Sequence, residues 1–122
     1  MFKISTNGIV SVNRGDSFEL PIVLNIGSAM TGEVYKLSKT DAIYLGIMEP
    51  NQRFEDAIIR KKVTSADEDV FGNLYVRFWP EDTVNVLPGK YYYQVKLQTV
   101  DAATGRLDAE TVIDKTLFFI EE

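Results

Sequence analysis

The run Phe78-Trp79-Pro80-Glu81-Asp82-Thr83-Val84-Asn85-Val86-Leu87-Pro88-Gly89-Lys90-Tyr91-Tyr92-Tyr93-Gln94-Val95-Lys96-Leu97 contains the end of one strand, a turn and most of another strand. Tyr91, Tyr93, Val95 and Leu97 alternate with Tyr92, Gln94, Lys96 and Gln98. That period of two marks a strand with one face buried. Upstream, Leu74, Val76 and Phe78 alternate in the same way with Tyr75, Arg77 and Trp79. Between the two strands, Pro80-Glu81-Asp82-Thr83 reads as one capped helical turn, with Asp82 or Thr83 accepting from orphan backbone donors. Leu87-Pro88-Gly89 then breaks the turn and launches the tyrosine-rich strand.

Working outward, Phe18, Leu20, Ile22, Leu24 and Ile26 form a third alternating set, with Glu19, Pro21, Val23 and Asn25 opposite. Pro21 cannot donate a ladder hydrogen bond, so this strand belongs at an edge or carries a bulge. Turn signals recur at Asn7-Gly8, Gly15-Asp16, Gly27-Ser28, Thr31-Gly32, Pro50-Asn51, Gly72-Asn73 and Thr104-Gly105. They predict strands near 2–5, 8–13, 17–26, 33–37, 41–48, 56–64, 73–79, 90–99 and 110–120. Seven to nine short strands at this spacing point to a two-sheet sandwich or a barrel. No ten-residue stretch has a helical period.

A short turn followed by Gly-x-Tyr-x-Tyr resembles the tyrosine corner of immunoglobulin-like sandwiches, with Tyr91 as the corner residue and Tyr93 in the core. A corner in another β fold stays open. The expected fold is therefore an all-β, immunoglobulin-like antiparallel sandwich forming one domain over 1–122. Its inward set is Phe18, Leu20, Ile22, Leu24, Ile43, Leu45, Leu74, Val76, Phe78, Tyr91, Tyr93, Val95 and Leu97.

Composition narrows function. The chain has 122 residues, 45% of them apolar and 25% charged, which is globular and long enough to bury a core. It has no cysteine, so no disulfide or thiolate chemistry is open to it. It has no histidine either, which removes the commonest general base and a common zinc ligand. A net charge of −5 disfavours nucleic acid and acidic membranes as partners. No apolar run approaches a membrane span, and the start lacks the pattern of a signal peptide. The expected place of synthesis is the cytoplasm.

Several motifs have a functional and a plain reading. Arg14-Gly15-Asp16 matches an integrin-type tripeptide, but it reads better as a polar turn. Asp67-Glu68-Asp69 offers oxygen ligands for calcium, yet lacks the alternating spacing of a calcium loop and reads as a solvated loop. Glu55-Asp56 and Glu81-Asp82 could pair as glycosidase carboxylates. Among 18 acidic residues such pairs arise by chance, and a sandwich of this size has little room for a deep cleft. No nucleophile elbow, phosphate-binding loop or dinucleotide fingerprint is present. The expectation is no enzymatic activity, no catalytic residue, no metal and no cofactor.

The candidate interface residues are Tyr75, Trp79 and Tyr92, which project from predicted outer faces, and Phe118 and Ile120. The last two belong to Leu117-Phe118-Phe119-Ile120, where alternation leaves two apolar side chains facing water unless something covers them. That cover could be a neighbouring subunit, or the N-terminal strand or a loop of the same chain.

Three stretches also carry a family resemblance: Arg14-Gly15-Asp16-Ser17, Asp41-Ala42-Ile43-Tyr44, and Asp82 through Tyr93. Together with the closing Thr111-Val112-Ile113 and Leu117–Ile120, they resemble the small N-terminal β-sandwich domains of bacteriophage upper baseplate, tail and head-fibre proteins. The resemblance implies a docking or oligomerising module of a virion. Its partners would be other virion proteins and further copies of itself, with a host-surface glycan as an additional candidate. The alternative function is a carbohydrate-binding module that uses the exposed aromatics. An inhibitor or minor enzyme domain has no positive residue evidence.

Overall fold

Alternating burial governs this chain, and its computed structural model describes residues 3–4, 8–22, 25–26, 33–34, 37–68, 74–101 and 103–122. The strands are β1 (Lys3–Ile4), β2 (Val10–Asn13), β3 (Phe18–Ile22), β4 (Asn25–Ile26) and β5 (Glu33–Val34). They continue with β6 (Ala42–Met48), β7 (Ile59–Thr64), β8 (Leu74–Phe78), β9 (Gly89–Val100) and β10 (Leu107–Glu121). The one α-helical element among the described residues is α1, a single turn over Pro80–Thr83. The protein is thus mostly β, as the alternation predicts.

Six strands form one sheet in the order β1-β2-β10-β9-β6-β7. The sheet is mixed, which corrects the expectation of a wholly antiparallel one, because β2 runs parallel to β10 while its other pairs are antiparallel. β3 and β8 form a second, antiparallel pair, and β4 and β5 a third. β3 has a strand on one side only among the described residues, which suits the exposed Pro21 in its middle.

The inner faces of the six-stranded sheet and of the β3–β8 pair share one core. Phe18 and Phe78 stack across β3 and β8 with centroids 4.4 Å apart, and each ring lies 6.3 Å from that of Phe118 on β10. Tyr93 meets Phe118 edge-on at 6.1 Å. Every described member of the predicted inward set is buried; Leu24 lies outside the described residues. Burying each large side chain contributes about 1.5–3 kcal/mol.

A second expectation is corrected at the C-terminal strand. Phe118 and Ile120 face the core of their own chain, 0% and 2% exposed, so neither presents a surface to a partner. The cover comes from β2, whose Val10 and Val12 pair in register with them, and from the Phe18–Phe78 stack. Leu117 and Phe119 occupy the other face and are half-buried.

The corner forms as predicted: the Tyr91 hydroxyl donates to the Leu87 carbonyl at 2.5 Å. The Tyr93 hydroxyl donates to the Gly8 carbonyl at 2.6 Å, tying the segment before β2 to β9. Both phenols titrate above the ordinary tyrosine range, Tyr91 through burial and then the repulsion of Glu49, Tyr93 through burial. The unfolded chain ionises its tyrosines near pH 10, where these two still hold their protons. The contribution of these two tyrosines to folding stability is therefore level below about pH 10 and is lost as pH rises beyond it. Urea midpoints measured from pH 8 to 11 should show this fall, and Tyr91→Phe with Tyr93→Phe should flatten it. A wild-type midpoint unchanged at pH 11 would contradict the assignment.

Candidate functional site

The outer face of the β3–β8 pair is where polar aromatics gather. Register sets Glu19 opposite Arg77 and Pro21 opposite Tyr75. Glu19 Oε1 accepts from Arg77 Nη1 at 2.8 Å, and the guanidinium lies over the Trp79 ring, 4.5 Å from its centroid. An exposed ion pair of this kind adds little stability, so its main effect is to hold the guanidinium over the indole. Trp79 remains 50% exposed. With Tyr75 and Asp67 these residues border an open depression of about 710 Å³.

The backbone under Trp79 is fixed by α1. Asp82 Oδ2 accepts the Trp79 N–H at 2.7 Å and pairs with Lys61 Nζ at 2.6 Å. The predicted cap is therefore Asp82, which also reaches across to β7. Thr83 is fully buried, and its hydroxyl accepts the Gly15 N–H at 2.9 Å. That bond accounts for the Arg14-Gly15-Asp16 turn. Gly15 sits at φ 84°, which favours glycine, and Arg14 pairs with Glu122 at 2.6 Å. The tripeptide is a structural corner that docks α1.

Tyr75 and Trp79 share this surface, whereas Tyr92 does not. Tyr92 points outward from β9, opposite Met48, on the outer face of the six-stranded sheet. Lys90 Nζ lies 5.8 Å from its ring centroid. The three aromatics are thus divided between two sheets.

The acidic motifs have local partners. Asp67 accepts from the Thr64 N–H at 2.8 Å and closes a 3₁₀ turn over Ser65–Asp67. Asp69 lies outside the described residues. Glu55 and Asp56 both lie within 4 Å of the Arg53 guanidinium, at 3.9 and 3.5 Å. Among the described residues, no three His, Cys, Asp or Glu side chains converge as metal ligands, and no helix is long and apolar enough to cross a membrane.

Sequence reasoning passed over a second surface, on the outer face of β6, β7 and β9. In one row across the sheet, Lys62, Tyr44 and Lys96 stand side by side. A 3₁₀ turn over Phe54–Asp56 folds back and lays the Phe54 ring on Gly46. A Cβ at Gly46 would stand 3.0 Å from Phe54 Cε2 and 3.1 Å from Ala57 Cβ, so glycine is what admits the ring. The outward parity of Tyr44, Lys62 and Lys96 was visible in the sequence; the fold-back of the loop was not.

No protein-family model matches the chain, and neither a curated protein nor a solved structure does.

Proposed function

We propose that this chain is an immunoglobulin-like docking domain of a bacteriophage particle, acting by binding and assembly and not by catalysis. The order β2-β10-β9-β6-β7, with β3 and β8 packed against it, supports the immunoglobulin-like reading, in which these strands would be A′-G-F-C-C′ and B and E. The helical turn lies between β8 and β9, and Tyr91 stands near the start of β9 with its hydroxyl on the Leu87 carbonyl, which agrees with a tyrosine corner near the start of strand F. The family resemblance in the turn motifs supplies the phage context.

The observation that carries the docking reading is Trp79: half exposed, stacked by Arg77 and anchored through Asp82. Trp, Tyr and Arg dominate interface energetics, and a side chain already held in place loses little entropy on binding. Arg77 covers one face of the indole, which favours a protein partner over a sugar sandwiched on the ring. The proposed partners are other virion proteins and further copies of this chain.

The test is co-sedimentation with purified particles of the phage that encodes the chain, together with light scattering over a wide concentration range. Wild type should bind the particles, and Trp79→Ala should bind about 30-fold more weakly with an unchanged unfolding midpoint. A chain that stays monomeric at high concentration and ignores the particles defeats the reading.

A further inference from the structure

From the second surface we infer that the Tyr44–Phe54 groove binds a short acidic saccharide, one whose sugar rings carry carboxylates. The groove holds about 450 Å³, enough for one or two sugar rings, and Tyr44, Phe54, Glu55, Arg60 and Lys62 are among the residues that line it, with the Glu55 carboxylate 3.9 Å from the Arg53 guanidinium. Lys96 stands at its margin with Nζ 4.7 Å from the Phe54 ring centroid, and Lys62 Nζ lies 5.7 Å from that of Tyr44.

Charge distribution points to the ligand. The chain carries 18 acidic and 13 basic residues, and Arg14, Lys61 and Arg77 each have a carboxylate partner. Among the described residues, Arg60, Lys62 and Lys96 have no carboxylate within ion-pair distance. Arg60 is held by a hydrogen bond to the Glu55 carbonyl at the groove wall. Screening in salt confines charge effects to roughly 8–10 Å, so this local positive cluster acts despite the net charge of −5.

The two rings say what kind of anion fits. In the free protein each lysine covers an aromatic face, an exposed cation–π contact that is weak. A carboxylate offers each ammonium a stronger, charge-assisted hydrogen bond. Drawing the ammoniums onto carboxylates uncovers the faces of Tyr44 and Phe54, and the apolar C–H face of a sugar ring can then stack there. An acidic peptide satisfies the cations but leaves the rings bare. The wall is built in advance: Phe54 rests on Gly46, and Lys115 Nζ holds the same loop through the Gln52 carbonyl at 3.0 Å. This site is independent of the Trp79 surface.

Calorimetric titration with trigalacturonate, galactotriose and triglutamate tests the inference on the full chain. Trigalacturonate should bind saturably, more weakly as salt rises, and about tenfold more weakly to Lys62→Met and to Lys96→Met. Arg106→Met, which removes an exposed charge from the β9–β10 turn, should bind like wild type, and all three variants should keep the wild-type unfolding midpoint. The inference is overturned if trigalacturonate does not bind, or if galactotriose binds equally. It also fails if triglutamate binds as tightly, or if neither lysine variant loses affinity.

Discussion

Phe118→Ala is expected to destabilise the protein by about 3–5 kcal/mol, the range for deleting a fully enclosed phenylalanine. The ring is 0% exposed and meets Phe18, Phe78 and Tyr93, so three neighbours on both layers lose contact at once. A domain of this size has on the order of 5–15 kcal/mol in hand, so the loss should be plain in a urea titration and in the melting temperature. Phe119→Ala, one residue along on the opposite and half-buried face, should cost about 1–2 kcal/mol. The contrast between neighbours is the measurement that matters. Equal losses would mean that β10 does not present alternate residues to the core.

The second large effect is expected at Asp82. Asp82→Ala removes the acceptor of the Trp79 N–H and strands Lys61, whose side chain is 18% exposed and whose ammonium lies 5.3 Å from the Phe78 centroid. Loss of a cap costs about 0.5–2 kcal/mol. A stranded, partly buried ammonium adds to that, though water still reaches it. Together they suggest about 2 kcal/mol by chemical denaturation. Adding Lys61→Met should recover about half, since no charge then remains to be solvated. Without recovery in the double variant, Asp82 is a cap alone.

Much of this architecture could be read from the chain because strand burial leaves a period-two imprint. Phe18, Leu20, Val76, Phe78, Tyr93 and Val95 fall on the inward parity, and all six are buried. The corner was legible too, since Pro88-Gly89 and Tyr91 are close in sequence. Parity did not say which sheet a residue belongs to. Hence Tyr75, Trp79 and Tyr92 read as one aromatic set, although Tyr92 sits on a different sheet from the other two. Nor did it show what covers Phe118 and Ile120, because their partners Val10 and Val12 come from the far end of the chain. The cationic groove depended on a loop folding onto Gly46, a contact with no periodic signature.

The parallel register of Val10 with Phe118 and Ser11 with Phe119 also bears on how the protein acquires its shape during synthesis. At about 5–20 residues per second, the ribosome takes roughly 5–20 s to pass from one member of each pair to the other. Throughout that interval the nascent chain has made Val10 and Val12 but not the strand that closes over them. Contacts so distant in sequence also contribute to a high contact order, which slows spontaneous folding from the unfolded state. The hairpin of β9 and β10 and its neighbour β6 can assemble from nearer segments, leaving β2 to dock late. Conditions that delay this docking expose a bare strand edge, and that is when aggregation competes with folding.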